Sequence, residues 1–296
     1  GTWSRPDRPA DLAVAERDPR RLTHLNEDAL AHRQLATVER FEFASSLDDR
    51  TVEAWVAKPP GFEPGRRYPL ILEIHGGPFA AYGPHFASEI QLYAAAGYVV
   101  VYVNPRGSTS YGDEFANLIH HDYPGGDYHD LMSAVDHAVD AGWADPDALY
   151  VTGGSGGGIL TAWVGPPTDR VRAAVSQKPV INWYSMTYTS DIYTFLFPYW
   201  FAEAPWETPE EYLRRSPLSY VDRVTTPTML LTGENDFRTP MSESEQFYQA
   251  LKLNQVDSAL VRIPEASHGI AARPSHLISK VAHVLGWFER YAPAED

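Results

Sequence analysis

Six consecutive residues, Gly153-Gly154-Ser155-Gly156-Gly157-Gly158, constrain the fold more than any other stretch of the chain. A Gly/Ser run can be a flexible linker, but the flanks argue otherwise. Leu149 to Thr152 reads as a short buried strand, and Ile159 to Val164 as an apolar helix. A phosphate cradle is a second candidate. Starting G-x-G-x-x-G at Gly154 puts Ile159 at the last glycine position, and no Lys-Ser/Thr pair follows. G-x-S-x-G fits instead, filled by Gly153, Ser155 and Gly157. A serine on a sharp strand-to-helix turn is strained, and the residues two away on either side must be small. The helix that follows points its amide end at the serine and favours negative charge there.

The rest of the chain supports that setting. After Tyr68, short apolar stretches at Leu70–Ile74, Tyr98–Val103, Leu149–Thr152, Val171–Val175, Thr228–Leu231 and Ala259–Ile263 read as strands covered on both faces. Helical patterns lie between them. Leu131, Val135 and Val139 share one face, with Asp130, Asp136 and Asp140 largely elsewhere. Leu277, Val281, Val284, Leu285 and Phe288 form an amphipathic stripe. The alternation predicts an α/β fold with a mostly parallel central sheet and helices on both faces. Upstream, Val38, Phe41 and Phe43 suggest a strand, and Thr51 to Ala57 alternates as a half-exposed hairpin partner. Residues 1–35 are polar, lack a clear period and are expected to be a linker or the tail of an upstream domain; 36–296 is the α/β domain. Trp183 to Trp206 is dense in aromatics and interrupts the rhythm. It is expected to be an insertion over the sheet, part packing and part apolar pocket wall.

With 296 residues, the chain is long enough to bury a sizeable core. Its 24 Lys+Arg against 39 Asp+Glu give a net charge of −15 and no basic cluster, which argues against nucleic acid and anionic membranes as partners. No apolar run is long enough to span a bilayer. The absence of cysteine excludes disulfides, zinc thiolates and a cysteine nucleophile. It leaves the compartment open. The opening Gly1-Thr2-Trp3-Ser4 lacks a Met, as expected of a piece of a longer protein. A cytoplasmic setting is weakly favoured, and because the chain reads as lacking its native N-terminus, periplasmic or secreted ones stay open.

A serine hydroxyl needs a base, and the base needs a carboxylate to orient it. In hydrolases of this kind the chain order is serine, acid, histidine. Downstream of Ser155 the histidines are His268, His276 and His283. The last two fall near the start of, or within, the terminal helix. His268 lies in a loop after the strand ending at Ile263. The acid should follow the strand ending near Gly233, where Asp236 is the choice and Glu234 the alternative; Asp222 comes too early. An oxyanion hole would take the amide of Gly156 and one from His75-Gly76-Gly77-Pro78. His120-His121-Asp122 has no second ligand cluster and reads as an exposed loop. No cofactor is implied.

These residues resemble the catalytic domain of the prolyl oligopeptidase family of serine peptidases, nearest its acylaminoacyl-peptidase branch. The matching pieces are His75-Gly76-Gly77-Pro78, Asn104-Pro105-Arg106-Gly107-Ser108 with Tyr111-Gly112, Gly153–Gly157, Gly233-Glu234-Asn235-Asp236-Phe237-Arg238-Thr239-Pro240 and His268-Gly269. The resemblance covers roughly residues 20 to 292 and implies an α/β-hydrolase fold. It implies Ser155 as nucleophile, Asp236 as acid, His268 as base and the amides of Gly77 and Gly156 as oxyanion hole. It implies that Arg238 binds a carbonyl on the acyl side of a short peptide, and that Arg106 and Tyr111 are mainly scaffold. Trp183, Tyr193 and Phe195, from the aromatic segment, are the expected pocket residues. A carboxylesterase using the same triad is the alternative, and a non-catalytic binding module a remoter one. Arg21-Leu22-Thr23-His24-Leu25-Asn26 resembles the family's passage out of an upstream β-propeller, which would be the partner domain of the same precursor; oligomerisation is left open. Two departures stand out. Gly156 replaces the usual bulky aromatic after the serine, and Gly165-Pro166-Pro167 should stop the following helix early.

Overall fold

The computed structural model describes residues 1–15, 17, 19–165 and 168–294. Residues 1–35, expected as a tail, carry regular structure. Strands β1 (Thr2–Arg5), β2 (Arg8–Val14) and β3 (Arg20–Arg21) form a small antiparallel sheet, followed by one helical turn, α1 (Glu27–Leu30). Its hub is the buried Asp11, whose carboxylate accepts from Leu25 N and Thr23 Oγ1 and pairs with Arg21. Polar ties of this kind leave no hydrophobic period to read.

The main body is an eight-stranded sheet. Its strands are β4 (Thr37–Ala44), β5 (Thr51–Lys58), β6 (Tyr68–Ile74), β7 (Val99–Asn104), β8 (Ala144–Gly154), β9 (Ala173–Gln177), β10 (Thr228–Gly233) and β11 (Ser258–Ile263). They lie in the order β11-β10-β9-β8-β6-β7-β5-β4. The six from β11 to β7 run parallel, and β5 and β4 join antiparallel. Side chains alternate between faces, as the period of a strand requires. Leu70, Leu72 and Ile74 pack with Val99, Val101 and Val103 on one side, while Ile71 packs with Val100 and Tyr102 on the other. β5 is less exposed than its alternation suggests. It lies between β4 and β7, and Val52, Ala54, Trp55, Val56 and Ala57 are all buried.

Helices cover both faces. They are α2 (Ser88–Ala95), α3 (Asp113–Ala116), α4 (Asp127–Asp140), α5 (Gly156–Val164), α6 (Trp183–Thr189), α7 (Tyr193–Trp200), α8 (Pro209–Arg214), α9 (Met241–Leu253) and α10 (Pro274–Arg290). Leu131, Ala134 and Val135 of α4, with Ile159 and Leu160 of α5, pack on one face. Tyr93 and Ala94 of α2, with Val281, Val284 and Phe288 of α10, pack on the other. Asp130 departs from the expected polar face of α4. It is fully buried and accepts from Arg106 through N, Nε and Nη2, while Arg106 also reaches Asp48 and Ser45. Arg106 thus braces the loop after β7 against α4.

The aromatic segment folds into α6 and α7 above the sheet. It is tied down where Glu243 of α9 accepts the amides of Ile181 and Asn182. Helix α5 ends at Val164; Pro166 and Pro167, expected to stop it, lie outside the described residues. The architecture is an α/β-hydrolase fold, with the loops after β6, β8, β9, β10 and β11 gathered at the carboxyl end of the parallel strands, where such sheets hold their sites.

Candidate active site

Ser155 sits between β8 and α5 at φ 61° and ψ −116°. A positive φ is uncommon for a residue with a side chain. Close packing holds it there. A Cβ on Gly157 would stand 2.0 Å from the carbonyl oxygen of Ile74, and one on Gly153 would stand 2.5 Å from the same atom. Only hydrogen fits at either position, so the turn crosses β6 closely enough to lift the serine out of the sheet. The Ser155 amide donates to the Gln177 carbonyl at 3.0 Å, and the Ser155 carbonyl accepts from Gly158 N and Ile159 N as α5 begins. The strain is thus held by backbone bonds on both sides.

Asp236 follows β10 and is buried, with 3% exposure. Its Oδ1 accepts from Arg238 N at 2.9 Å and Thr239 N at 3.0 Å. Its Oδ2 accepts from Thr239 Oγ1 at 3.1 Å and lies 2.8 Å from His268 Nδ1. Burial alone would raise this carboxyl. The hydrogen bond and charge of His268, with the amides of Thr239 and Arg238, outweigh it and hold the group below its ordinary value. Asp236 therefore stays ionised and holds the imidazole by its Nδ1 edge, with Nε2 turned away from the carboxylate. Glu234 is turned elsewhere, toward Arg262 at 3.6 Å. His283 is exposed on α10 and bonds back to Ser279 O.

Ser155 and Thr239, the latter in contact with both Asp236 and His268, line one small cavity of about 30 Å³. Among the described residues the serine hydroxyl makes no hydrogen bond to the imidazole. Such contacts commonly tighten only when substrate is bound. Gly77 has φ +128°, and both Gly77 and Gly156 line the same cavity. A Cβ on Gly156 would stand 2.9 Å from Gly77 N and 2.9 Å from the Tyr123 hydroxyl. The space after the serine is therefore already occupied, which is why glycine stands there. Tyr123, which sequence reasoning missed, donates from its hydroxyl to the Gly156 carbonyl at 2.9 Å.

The remaining walls of the cavity are apolar, from Ile159, Val180, Trp183, Met186, Ile192, Leu196 and Trp200. Trp183 lies between Tyr123, Trp200 and Phe201 and is buried. Tyr193 and Phe195 are not in the lining; they are 58% and 38% exposed, with Phe195 stacked on Tyr199. Arg238 lines the rim, its Nε held by Asp191 at 2.6 Å. Asp191 carried no motif that could have marked it. His120 and His121 lie together in the loop after α3 with rings stacked 3.8 Å apart. Among the described residues, no group of three potential metal-ligating His, Asp or Glu side chains occurs. Nor is any helix there long and apolar enough to cross a membrane.

Comparison with known proteins gives the family and supports the fold. The family model "Prolyl oligopeptidase family" matches residues 84–294. The chain is 39% identical over 293 residues to the uncharacterized peptidase YuxL of Bacillus subtilis, covering 97% of this chain and 44% of that protein. It is 33% identical over 245 residues to the acylamino-acid-releasing enzyme of Arabidopsis thaliana, covering 80% of this chain and 32% of that one. Among solved structures, the acylaminoacyl peptidase of Pyrococcus horikoshii superposes with a TM-score of 0.93 at 29% identity, covering 100% of this chain and 48% of that one. A puromycin-hydrolyzing peptidase of Mycobacterium tuberculosis gives 0.88 at 26%, covering 100% and 46%. The chain belongs to the prolyl oligopeptidase family of serine peptidases. It spans less than half the length of these relatives.

Proposed function

We propose that Ser155, Asp236 and His268 work as a catalytic triad that hydrolyses short peptides or N-acyl-aminoacyl bonds through an acyl-enzyme. One observation carries the reading. A serine held at φ 61° shares a cavity with a threonine that touches both members of a 2.8 Å histidine–aspartate pair. In the proposed reaction Ser155 Oγ attacks the scissile carbonyl carbon while its proton passes to His268 Nε2. Asp236 stabilises the imidazolium. The carbonyl oxygen, now an anion, is received by the amides of Gly77 and Gly156. The C–N bond breaks, and the leaving amine takes the proton from Nε2. Water then attacks the acyl carbon and gives a proton to the same nitrogen; the C–Oγ ester bond breaks, Ser155 Oγ takes that proton back, and the acid is released.

The cavity beside Ser155 holds little more than a water molecule as it stands, and its walls away from Ser155, Thr239 and Arg238 are mainly apolar. A small apolar residue on the acyl side of the bond fits it best, and a charged one would be left unpaired. Arg238, steadied by Asp191, is the proposed contact for a carbonyl further along the acyl side. A β-propeller of the same precursor is the proposed partner that limits access to short peptides. The test is hydrolysis of N-acetylated and free-amine alanine anilides, beside the matching ester, by the full-length precursor. Cleavage of anilides that vanishes in Ser155→Ala supports the peptidase. Cleavage of the ester alone points to a carboxylesterase.

A further inference from the structure

The dipeptide Gln177-Lys178, which has no part in the chemistry above, bonds to the segments that hold Ser155, Asp236 and His268. The Gln177 carbonyl accepts the Ser155 amide at 3.0 Å. The Lys178 carbonyl accepts Thr239 Oγ1 at 2.9 Å, and the amide of that threonine donates to Asp236 Oδ1 at 3.0 Å. The Lys178 ammonium donates to the His268 carbonyl at 2.6 Å. Among the described residues, nothing else bonds the main chain of His268, and Gly269 beside it has open space where a Cβ would be. Lys178 takes an uncommon φ of 38°, kept by its amide bond to Leu231 O at 2.7 Å. Its stem crosses Gly154 so closely that a Cβ there would lie 2.8 Å from Lys178 Cε, and the three atoms nearest that point all belong to Lys178. Gly154 thus leaves a passage through which the ammonium reaches the histidine loop.

We propose that Lys178 is a positioning residue: it ties the loop carrying His268 to the strand end that holds Ser155 and to the turn that holds Asp236. A charge-assisted bond to a carbonyl is stronger than a neutral one, and it acts here on a loop with few other ties. Burial works against the charge and lowers the lysine's proton affinity, with Lys280 adding to the effect and Asp236 opposing it. The inference deepens the triad reading and rests on it.

The test is steady-state hydrolysis of one anilide by the full-length protein and its variants. Ser155→Ala and His268→Ala come first; if either keeps activity, the triad reading fails and Lys178 has nothing to position. With that reading intact, Lys178→Met is expected to lower kcat about 10- to 100-fold with KM within about twofold, as a small misplacement of a reacting group does. Lys178→Arg restores most of the loss. Gly154→Ala, which blocks the passage, lowers kcat in the native background and adds little in Lys178→Met, because both changes break the same tie. The proposal is overturned if Lys178→Met keeps kcat within twofold, if arginine is no better than methionine, or if the two losses simply add. Should Lys178→Met fail to fold, the arginine variant and Gly154→Ala decide by the same kcat and KM readings. A native kcat in Gly154→Ala then overturns the proposal.

Discussion

His268 Nδ1 lies 2.8 Å from Oδ2 of Asp236, while Oδ1 of the same carboxylate is occupied by the amides of Arg238 and Thr239. Oδ1 holds the turn through two amides, and Oδ2 holds the imidazole beside the Thr239 hydroxyl. Asp236→Asn should keep the turn yet present an amide to Nδ1, which favours the wrong tautomer. The expected result is a fall in kcat on the order of 10³- to 10⁴-fold with KM little changed. Stopped-assay kinetics on an anilide, with circular dichroism to confirm folding, check it.

The glycines around the serine are not equivalent. Gly157→Ala would push a Cβ to within 2.0 Å of Ile74 O, against backbone that cannot yield, whereas Gly269→Ala meets nothing within 4 Å. The first should destabilise by at least ~1–3 kcal/mol, the usual scale of overpacking, and the second should be near neutral. Urea denaturation of the two variants side by side measures the difference.

Glu73 gives a pH dependence of stability. It lies under the site on β6, paired in register with Thr152, and its Oε2 has no partner among the described residues. Burial pushes its carboxyl up from 4.5 to about 8, with Lys280 opposing and Glu89 adding. The folded protein therefore holds a proton that the unfolded chain has released between pH 4.5 and about 8. Its contribution is complete below 4.5 and lost as pH rises through that window. Glu73→Gln should flatten this slope and stabilise the protein near pH 8, by something on the order of 4 kcal/mol. Denaturant midpoints from pH 5 to 9 test it; an unchanged slope counts against a neutral Glu73.

Much of the molecule was legible because burial on both faces leaves a dense apolar signature. β6, β7, β10 and β11 begin or end within two residues of the apolar runs that mark them. β9 is instructive. The apolar run ends at Val175, but the strand continues through Ser176 and Gln177. Those polar residues are buried by their bonds, Ser176 Oγ to Gly158 O and Gln177 Nε2 to Thr152 Oγ1. Hydropathy loses the strand where it reaches the site, and Lys178 was missed for that reason. Asp236 and His268 were legible because each is displayed just after an apolar strand. Tyr123 and Asp191 sit in loops with no period, and only the chain's return in three dimensions brings Tyr123 to the cavity of Ser155 and Asp191 to Arg238. The strands before residue 22 rest on polar ties to Asp11, which no hydrophobic pattern reports.

The pocket makes a claim about selectivity. Leu196 of α7 is buried and forms part of the wall beside Ser155. Leu196→Ala removes three carbons from a cavity of about 30 Å³. The ratio of kcat/KM for a phenylalanine over an alanine acyl group should rise about 10-fold or more, the scale that a few methylenes provide. Paired anilides measured on native and variant protein give the ratio directly. An unchanged ratio would place the acyl side chain elsewhere.

The triad is tested most directly by covalent labelling with a fluorophosphonate, read by intact mass and by peptide mapping of the adduct. A nucleophile at Ser155 requires one adduct per chain, located on the peptide containing residues 153–158, absent in Ser155→Ala and much slower to form in His268→Ala. An adduct on another serine, or undiminished labelling in Ser155→Ala, contradicts it.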